Sequence, residues 1–175
     1  GWSGYFPINH EGGGNMDRTL VLDWFEEVLH TDATKIFHNA MYDVSWIRSM
    51  GFQIRGGIID TLIAASLINE NRWGYALNAL GKEYVGMGKN EKILQEAAKE
   101  WGVNPKSEMW RLPAPLVGEY AEQDAVVTLK LWHALQHEIS KQDLWDVFNL
   151  ETNLFPCLVD MKFKGVRVDI DKAEA

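Results

Sequence analysis

A carboxylate on the apolar face of a predicted helix is the feature that most restricts how this chain can fold. Residues 118–132 have apolar side chains at helical spacing, about 100° per residue. The predicted inner face consists of Tyr120, Asp124, Val127, Leu131 and Leu135. An ionised group on a buried face is costly unless something compensates it. Asp124 therefore requires a salt bridge or a cap hydrogen bond, as is common for core aspartates, or a cation.

A second stretch, residues 35–47, repeats this arrangement. A short β-type run ends at His38 and a helix follows it. The inner face predicted for that helix consists of Asn39, Asp43, Trp46, Ile47 and Met50. Taken alone, Asn39 is expected to be an N-cap whose side chain accepts from first-turn amides, and Tyr120 a core aromatic residue with a solvated hydroxyl. Two helices that each present an aspartate from the buried side are able to bring both carboxylates to one point.

The remaining elements alternate between strands and helices, which predicts an α/β layered fold. Strands are expected at 5–8, 36–38 and 57–59, with a further possible strand at 166–168. Helices are expected at 19–30, 39–50, 61–69, 77–85, 91–101 and 144–164, together with the Asp124 helix, which ends near 139. Asp60 is expected to cap the helix that starts at Thr61. The glycine-rich segment 10–15 is a turn, because no Lys-Ser/Thr pair follows it as a P-loop requires.

The ordered motifs resemble a known family. HNAMYD followed by YAEQD resembles the second and third motifs of the proofreading 3′–5′ exonuclease domain of family A DNA polymerases, in the DnaQ-like, ribonuclease H-like superfamily. The intervening IIDTLIAASLIN and YALNALGKEYVG resemble the family's spacers, and LETNLFPCLVDMKFKGVRVD resembles the beginning of a polymerase domain. The resemblance implies a ribonuclease H-like mixed sheet flanked by helices, with its N-terminal strands missing. It also implies an exonuclease domain at 1–143 and the start of a polymerase domain at 144–175.

The same resemblance implies roles for individual residues. The implied site holds two metal ions, Mg²⁺ or Mn²⁺, which prefer oxygen ligands. Asp43 would either bind a metal ion or hold another ligand in position, and Asp124 would bind a metal ion directly. Tyr120 would orient the attacking water, so that Tyr120, Asp124 and Asp43 form the catalytic set. Asn39 would hold the substrate end or the junction between strand and helix. Two aspartates that converge without metal should repel, which raises the pKa of at least one.

The resemblance also defines the substrate and a missing part. The implied substrate is the 3′ end of single-stranded DNA, and the implied partner is the remainder of a polymerase chain. The family's first motif, an Asp-x-Glu on a central strand, lies upstream of a strand that here begins at Tyr5. We therefore expect a truncated module with weak or no activity. Segments 5–8 and 35–38 would then close on each other, rearrange or borrow a strand.

Two alternatives stay open at this point. KIFHNAMYDV and MWRLPAPLVGEYAEQD also resemble ribonuclease D-like RNA exonucleases, although the GVRVD segment favours a polymerase. A non-catalytic nuclease-fold scaffold is the other alternative. The joint presence of Asp43, Asp124 and Tyr120 argues against a scaffold, because an inactive site has no reason to keep aspartates on apolar faces.

Composition narrows the remaining classes. A hydrophobic content of 46% and eight tryptophans exclude a disordered chain. The net charge of −8 argues against a broad basic surface for nucleic acid, but it is compatible with a site that holds a strand end through bound cations and aromatic stacking. The single cysteine, Cys157, excludes an internal disulfide and fits a reducing compartment. No apolar run reaches the roughly 18 residues of a membrane span, so a cytoplasmic protein without a membrane partner is expected.

Overall fold

Helices surround one small sheet in the computed structural model, which describes residues 1–88 and 92–174. The first five elements are α1 (Arg18–Leu29), β1 (Lys35–Phe37), α2 (Ala40–Ser49), β2 (Ile58–Asp60) and α3 (Thr61–Ile68). They are followed by α4 (Leu77–Leu80), which continues as a π-helical turn (Gly81–Val85), α5 (Lys92–Trp101), a 3₁₀ turn (Met109–Arg111), α6 (Ala114–Lys141), α7 (Trp145–Lys164) and α8 (Ile170–Ala173). The α/β class is confirmed, with far more helix than strand. The predicted helix 91–101 is present from Lys92 onward, and Glu91 lies outside the described residues.

The sheet consists of β1 and β2, which run parallel with Lys35 opposite Ile58 and Phe37 opposite Asp60. The intervening α2 makes the crossover that parallel strands require. The side chains of β1 are half-buried, so the prediction of a buried strand at 36–38 is too strong. In the described part of the chain β1 pairs with β2 and with no other strand.

The predicted strand at 5–8 is wrong. This segment is irregular because its polar groups bond within its own loop, and that loop is in turn bonded to Leu112, just before α6. The Tyr5 hydroxyl donates to His10 Nε2, and His10 Nδ1 donates to the Leu112 carbonyl at 2.7 Å. Pro7 has no amide hydrogen to donate to a ladder, and its carbonyl accepts from the Met16 amide at 2.7 Å. Segments 5–8 and 35–38 do not pair with each other in the described chain, where β1 pairs with β2.

The possible strand at 166–168 is also absent. Gly165 ends α7 with a φ of 67°, as its predicted stop position requires. The residues that follow are exposed, and in the described chain no neighbouring strand lies beside them to supply hydrogen-bond partners. An isolated β-type run of this length cannot satisfy its own backbone.

Helix α6 forms the centre of the core. Val127, Leu131 and Leu135 are buried on its inner face as predicted, and Tyr120 and Asp124 are half-buried on the same side. Phe148 of α7 joins this main cluster, so α7 shares a core with the elements before it. None of the helices within 1–88 and 92–174 is long and apolar enough to cross a membrane.

The predicted inner face of α2 is only partly correct. Ile47 is buried, but Trp46 is 58% exposed and Met50 is 46% exposed. The observed inner face centres on Ala40 and Val44, which pack with Phe155 and Val159 of α7. Because α7 covers that side, the buried stripe is rotated towards Ala40, and Asp43 lies half-buried at its edge.

One carboxylate caps two helices. Asp60 is 6% exposed and accepts from the Leu62 amide at 2.9 Å, which confirms the predicted cap of α3. It also accepts from the amides of Asn39 and Ala40 at 2.9 and 2.8 Å, and so caps α2. The prediction that Asn39 caps α2 with its side chain is therefore wrong. Asn39 stands at the N-cap position with a φ of 66°, a left-handed conformation that asparagine tolerates, and its side chain makes no cap bond.

Asp60→Ala should be strongly destabilising. The change removes two helix caps and leaves buried amides without acceptors, which together cost about 3 kcal/mol. Asp17→Ala is the matched control, because Asp17 caps only α1 through the Leu20 amide at an exposed site, and its loss should cost about 1 kcal/mol. Urea unfolding of both variants measures the difference. Equal losses would mean that Asp60 does not hold α2 and α3 together.

Candidate active site

An open cleft of about 930 Å³ runs along β1 to its carboxyl end. One part of its lining is polar and consists of Thr34, His38, Asn39, Asp43, Asp124 and Thr128. The other part is largely apolar and consists of Ile36, Phe37, Leu62, Tyr75, Ala76, Leu77, Ala125 and Leu129. The cleft therefore combines acidic with apolar side chains, and its lining contains no Lys or Arg among the described residues.

Two helices from distant parts of the chain deliver the aspartates to this cleft. Asp43 lies in the first turn of α2, which starts directly after the left-handed turn at Asn39. Asp124 comes from the middle of α6, which packs against β1. Its Oδ1 atom is buried. Asp43, Asp124 and Asn39 thus share one cleft, and their chemical roles stay predictions.

Tyr120 does not line this cleft. It is half-buried against the cluster that contains Leu112 and Val117. Its side chain borders an adjoining pocket of about 350 Å³, which shares Ala76 and Leu77 with the cleft. The structure thus places Asp43 and Asp124 in the lining of one cleft. Tyr120, one helical turn before Asp124, lines the adjoining pocket.

The pKa of the Asp43 carboxyl is raised above its usual 3.8. Burial is the largest cause, a backbone hydrogen bond partly offsets it, and the negative charge of Asp60 adds to the rise. The expectation that one of the paired aspartates has a raised pKa is confirmed for Asp43. The expected cause, repulsion between the two aspartates, was wrong, because burial is the largest cause of the raised pKa and the neighbouring charge that adds to it is Asp60.

The acidic residues of the cleft lining are the ones that could hold a cation. Within the described ranges no group of three or more His, Cys, Asp or Glu residues is placed to hold a metal ion. Two carboxylates are nevertheless sufficient for Mg²⁺, which commonly binds through one or two of them and keeps several waters. The Asp60 carboxylate accepts hydrogen bonds from three amides. Glu122 does not line the cleft, and its carboxylate accepts a hydrogen bond of 3.0 Å from the Ser3 hydroxyl. Asp43 and Asp124 are therefore the candidate ligands.

Comparison with known families decides the classification. Residues 5–140 match the 3′–5′ exonuclease domain of family A DNA polymerases. The chain belongs to this exonuclease family. The resemblance drawn from HNAMYD and YAEQD is thereby confirmed, and the two aspartates of the cleft lie in those two motifs.

Relatives of the exonuclease domain are DNA polymerases. The chain is 36% identical over 182 residues to the DNA-directed DNA polymerase of Pseudomonas phage M6, covering 99% of this chain and 27% of that protein. It is 33% identical over 192 residues to DNA polymerase DpoZ of Vibrio phage phiVC8, covering 99% and 29%. Synechocystis DNA polymerase I is 24% identical over 170 residues, covering 95% and 17%. The chain thus spans less than a third of the length of these relatives.

Two residues of the exonuclease cleft were given no role by the sequence. His38 donates from Nδ1 to the Thr61 hydroxyl at 2.9 Å, because that hydroxyl itself donates to the Phe37 carbonyl at 3.1 Å. Tyr75 lines the same cleft. The signal for His38 was its place inside HNAMYD. For Tyr75 it was an aromatic residue immediately before the short helix α4.

Asp43→Asn should alter stability in a pH-dependent way. Because folding raises the pKa of Asp43, the folded state favours the protonated carboxyl. The protonated Asp43 carboxyl therefore stabilises the folded state below pH 3.8, and this stabilisation is lost as the pH rises through the pKa of the folded state. Asn resembles the uncharged form, so the variant should have a higher free energy of unfolding than the parent at neutral pH in EDTA. This gain should disappear below pH 3.8.

Urea unfolding across that pH range measures the effect. Asp23→Asn on the exposed side of α1 serves as the control and should show no such gain. A gain from Asp43→Asn that is the same at neutral and acidic pH would contradict the raised pKa.

Proposed function

We propose that the exonuclease domain hydrolyses the 3′-terminal phosphodiester of single-stranded DNA as the proofreading module of a DNA polymerase. The observation that carries this proposal is the meeting of Asp43 and Asp124, from two different helices, in one open cleft beside Asn39. We further propose that the fold is ribonuclease H-like. In this proposal 1–143 form the exonuclease domain, and 144–175 begin the polymerase domain, which is the partner.

Asp43 and Asp124 would hold Mg²⁺ or Mn²⁺ in this proposal. Such a cation supplies Lewis acidity that lowers the pKa of a bound water and neutralises charge on the scissile phosphate. The cleft lining offers DNA no Lys or Arg in the described chain, and the chain carries a net charge of −8. The two carboxylates would therefore repel a phosphodiester unless a cation lies between them. This makes substrate binding as well as hydrolysis dependent on divalent metal.

The other proposed roles follow from position. Asn39 stands at the N-cap of α2 and lines the cleft. It would bind the sugar or phosphate of the terminal nucleotide through its side-chain amide. Tyr120 would orient the attacking water with its hydroxyl from the adjoining pocket. Because the relatives are DNA polymerases, DNA is preferred to RNA as the substrate class, and a cytoplasmic location accords with the exposed free thiol of Cys157.

Asp124→Ala tests the catalytic assignment. In a DNA polymerase chain that contains this domain, the change should lower 3′–5′ hydrolysis of a labelled single-stranded oligonucleotide by about a hundredfold or more, because it removes a metal ligand. Tyr120→Phe should leave a measurable, reduced rate, since it removes only one hydroxyl. Glu119→Ala, an exposed acidic position on the same helix, is the control and should have no effect. Normal hydrolysis by Asp124→Ala would favour a non-catalytic scaffold.

The 175-residue chain by itself should degrade the same oligonucleotide very slowly or not at all with Mg²⁺ or Mn²⁺. Two carboxylates hold one cation, and the described residues offer no third acid to bind a second. The assay is a time course with and without EDTA. Rapid, EDTA-sensitive cleavage by this chain would contradict the expectation and would point to another carboxylate in the site.

A further inference from the structure

We propose that α7 positions Asp43 by holding α2 in place, with Phe155 and Val159 as the positioning residues. This role rests on the proposed function, because it takes Asp43 as a ligand of the cation in the cleft. It gives a part in the site to a helix that lies outside the residues matched by the exonuclease family, 5–140. Phe155 and Val159 do not line the cleft, so both act on the site through α2.

The apolar contact between α7 and α2 is buried on both sides. Phe155 and Val159 of α7 are each 4% exposed, and on α2 Ala40 is fully buried and Val44 is 7% exposed. These four side chains form one cluster. A spacing of four residues places both members of each pair on one face of their helix. The two helices therefore meet along one stripe of each, where the small side chain of Ala40 allows close approach.

Polar contacts join the same two helices at the edge of this cluster. The Arg48 guanidinium, in the last turn of α2, donates to the Asp160 carboxylate and lies over the Phe163 ring, 4.5 Å from its centroid. In the first turn of α2, the Met41 carbonyl accepts from Lys162 at 3.5 Å. Exposed ion pairs add little stability, but these contacts are directional and involve both ends of α2. They therefore oppose rotation and sliding of α2 on α7.

Asp60 supplies the other anchor of α2. Its carboxylate accepts from the amides of Asn39 and Ala40, which fixes the start of the helix. One fixed end does not set the direction of a helix, because the remaining turns can pivot about it. The contacts of α7 with Val44 and Arg48 lie further along α2. Asp60 and α7 together therefore define both the origin and the direction of α2.

Asp43 is the residue next to the stripe that α7 covers. It directly precedes Val44 in α2 and lines the cleft, so a rotation of about 100° separates the side chain in the cleft from the one beneath α7. Any shift of α2 on α7 carries the Asp43 carboxylate with it. Because a binding site needs its groups held within about 0.5 Å, the seat of α7 determines whether Asp43 and Asp124 can bind one cation.

Phe155→Ala and Phe148→Ala test this role as a matched pair in the 175-residue chain. Both are buried phenylalanines of α7, but Phe148 stacks on Trp132 of α6, with the ring centroids 5.4 Å apart. Native-state hydrogen exchange measures the amides of residues 40–49 relative to the rest of the chain. Phe155→Ala should speed their exchange about tenfold more than Phe148→Ala does, because it loosens α2 locally. Phe155→Leu, which keeps a large apolar side chain, should restore slow exchange.

Binding of Mn²⁺ without DNA is the second measurement, made by electron paramagnetic resonance of the free ion. Phe155→Ala should weaken Mn²⁺ binding about tenfold or more, as changes that disturb the orientation of a ligand do. Phe148→Ala should leave the Kd for Mn²⁺ unchanged, and Phe155→Leu should restore it. Where Phe155→Ala does not fold, Val159→Ala takes its place, because it removes only methyl groups from the same contact.

The outcomes distinguish this role of α7 from the proposed function. Equal effects of the two phenylalanine variants on exchange and on Mn²⁺ binding would mean that α7 is only part of the core, and the proposal would be wrong. Mn²⁺ binding that Phe155→Ala leaves unchanged would also overturn it, while the proposed function stands. If the parent binds no Mn²⁺, the cation of the proposed function is contradicted, and selective exchange of α2 still shows that α7 positions the helix that carries Asp43.

Discussion

The carboxylate of Asp60 is the interaction on which the arrangement of the cleft depends. It stands at the end of β2 and accepts from amides of both α2 and α3, so two helices begin at one buried point. The partial positive charge at each helix N-terminus favours this anion. Since β1 also ends there, the chain leaves the sheet through Asn39 and carries Asp43 into the cleft one turn later. The left-handed turn at Asn39 and the start of α2 are therefore held in place by their hydrogen bonds to Asp60.

A division of labour among the acidic residues follows from this cap. Asp60 is committed to backbone amides, and its negative charge acts on Asp43 together with burial to raise the pKa of that carboxyl. A cation beside Asp43 would reverse this shift, because it favours the charged form. A cation bound in the cleft would therefore offset the negative charge of its acidic lining. The same cleft is also lined by apolar and aromatic side chains, among them Tyr75 and Leu77.

Several elements were predictable because their signals are local. The buried face of α6 at Val127, Leu131 and Leu135 follows from helical periodicity sustained over several turns, and the Asp60 cap of α3 follows from an acceptor placed directly before a helix. The strand expected at 5–8 is absent because Tyr5 and Pro7 bond within their own loop, to His10 and Met16, and His10 in turn bonds to Leu112, which is remote in sequence. The face of α2 was misjudged because α7 covers Ala40 and Val44, and no periodicity within α2 reveals which neighbour will pack on it.

The sequence by itself determined the family, through HNAMYD and YAEQD, and with it the two aspartates predicted to bind metal. It could do so because motif residues and their order are read directly along the chain. Only the tertiary structure decided that Asp60 caps two helices, that Asp43 and Asp124 share a cleft while Tyr120 borders the next pocket, and that Tyr75 forms part of the wall. Each of these facts depends on contacts between segments that are remote in sequence. Packing and buried hydrogen bonds between those segments determine the arrangement, because local propensity does not distinguish between the alternatives.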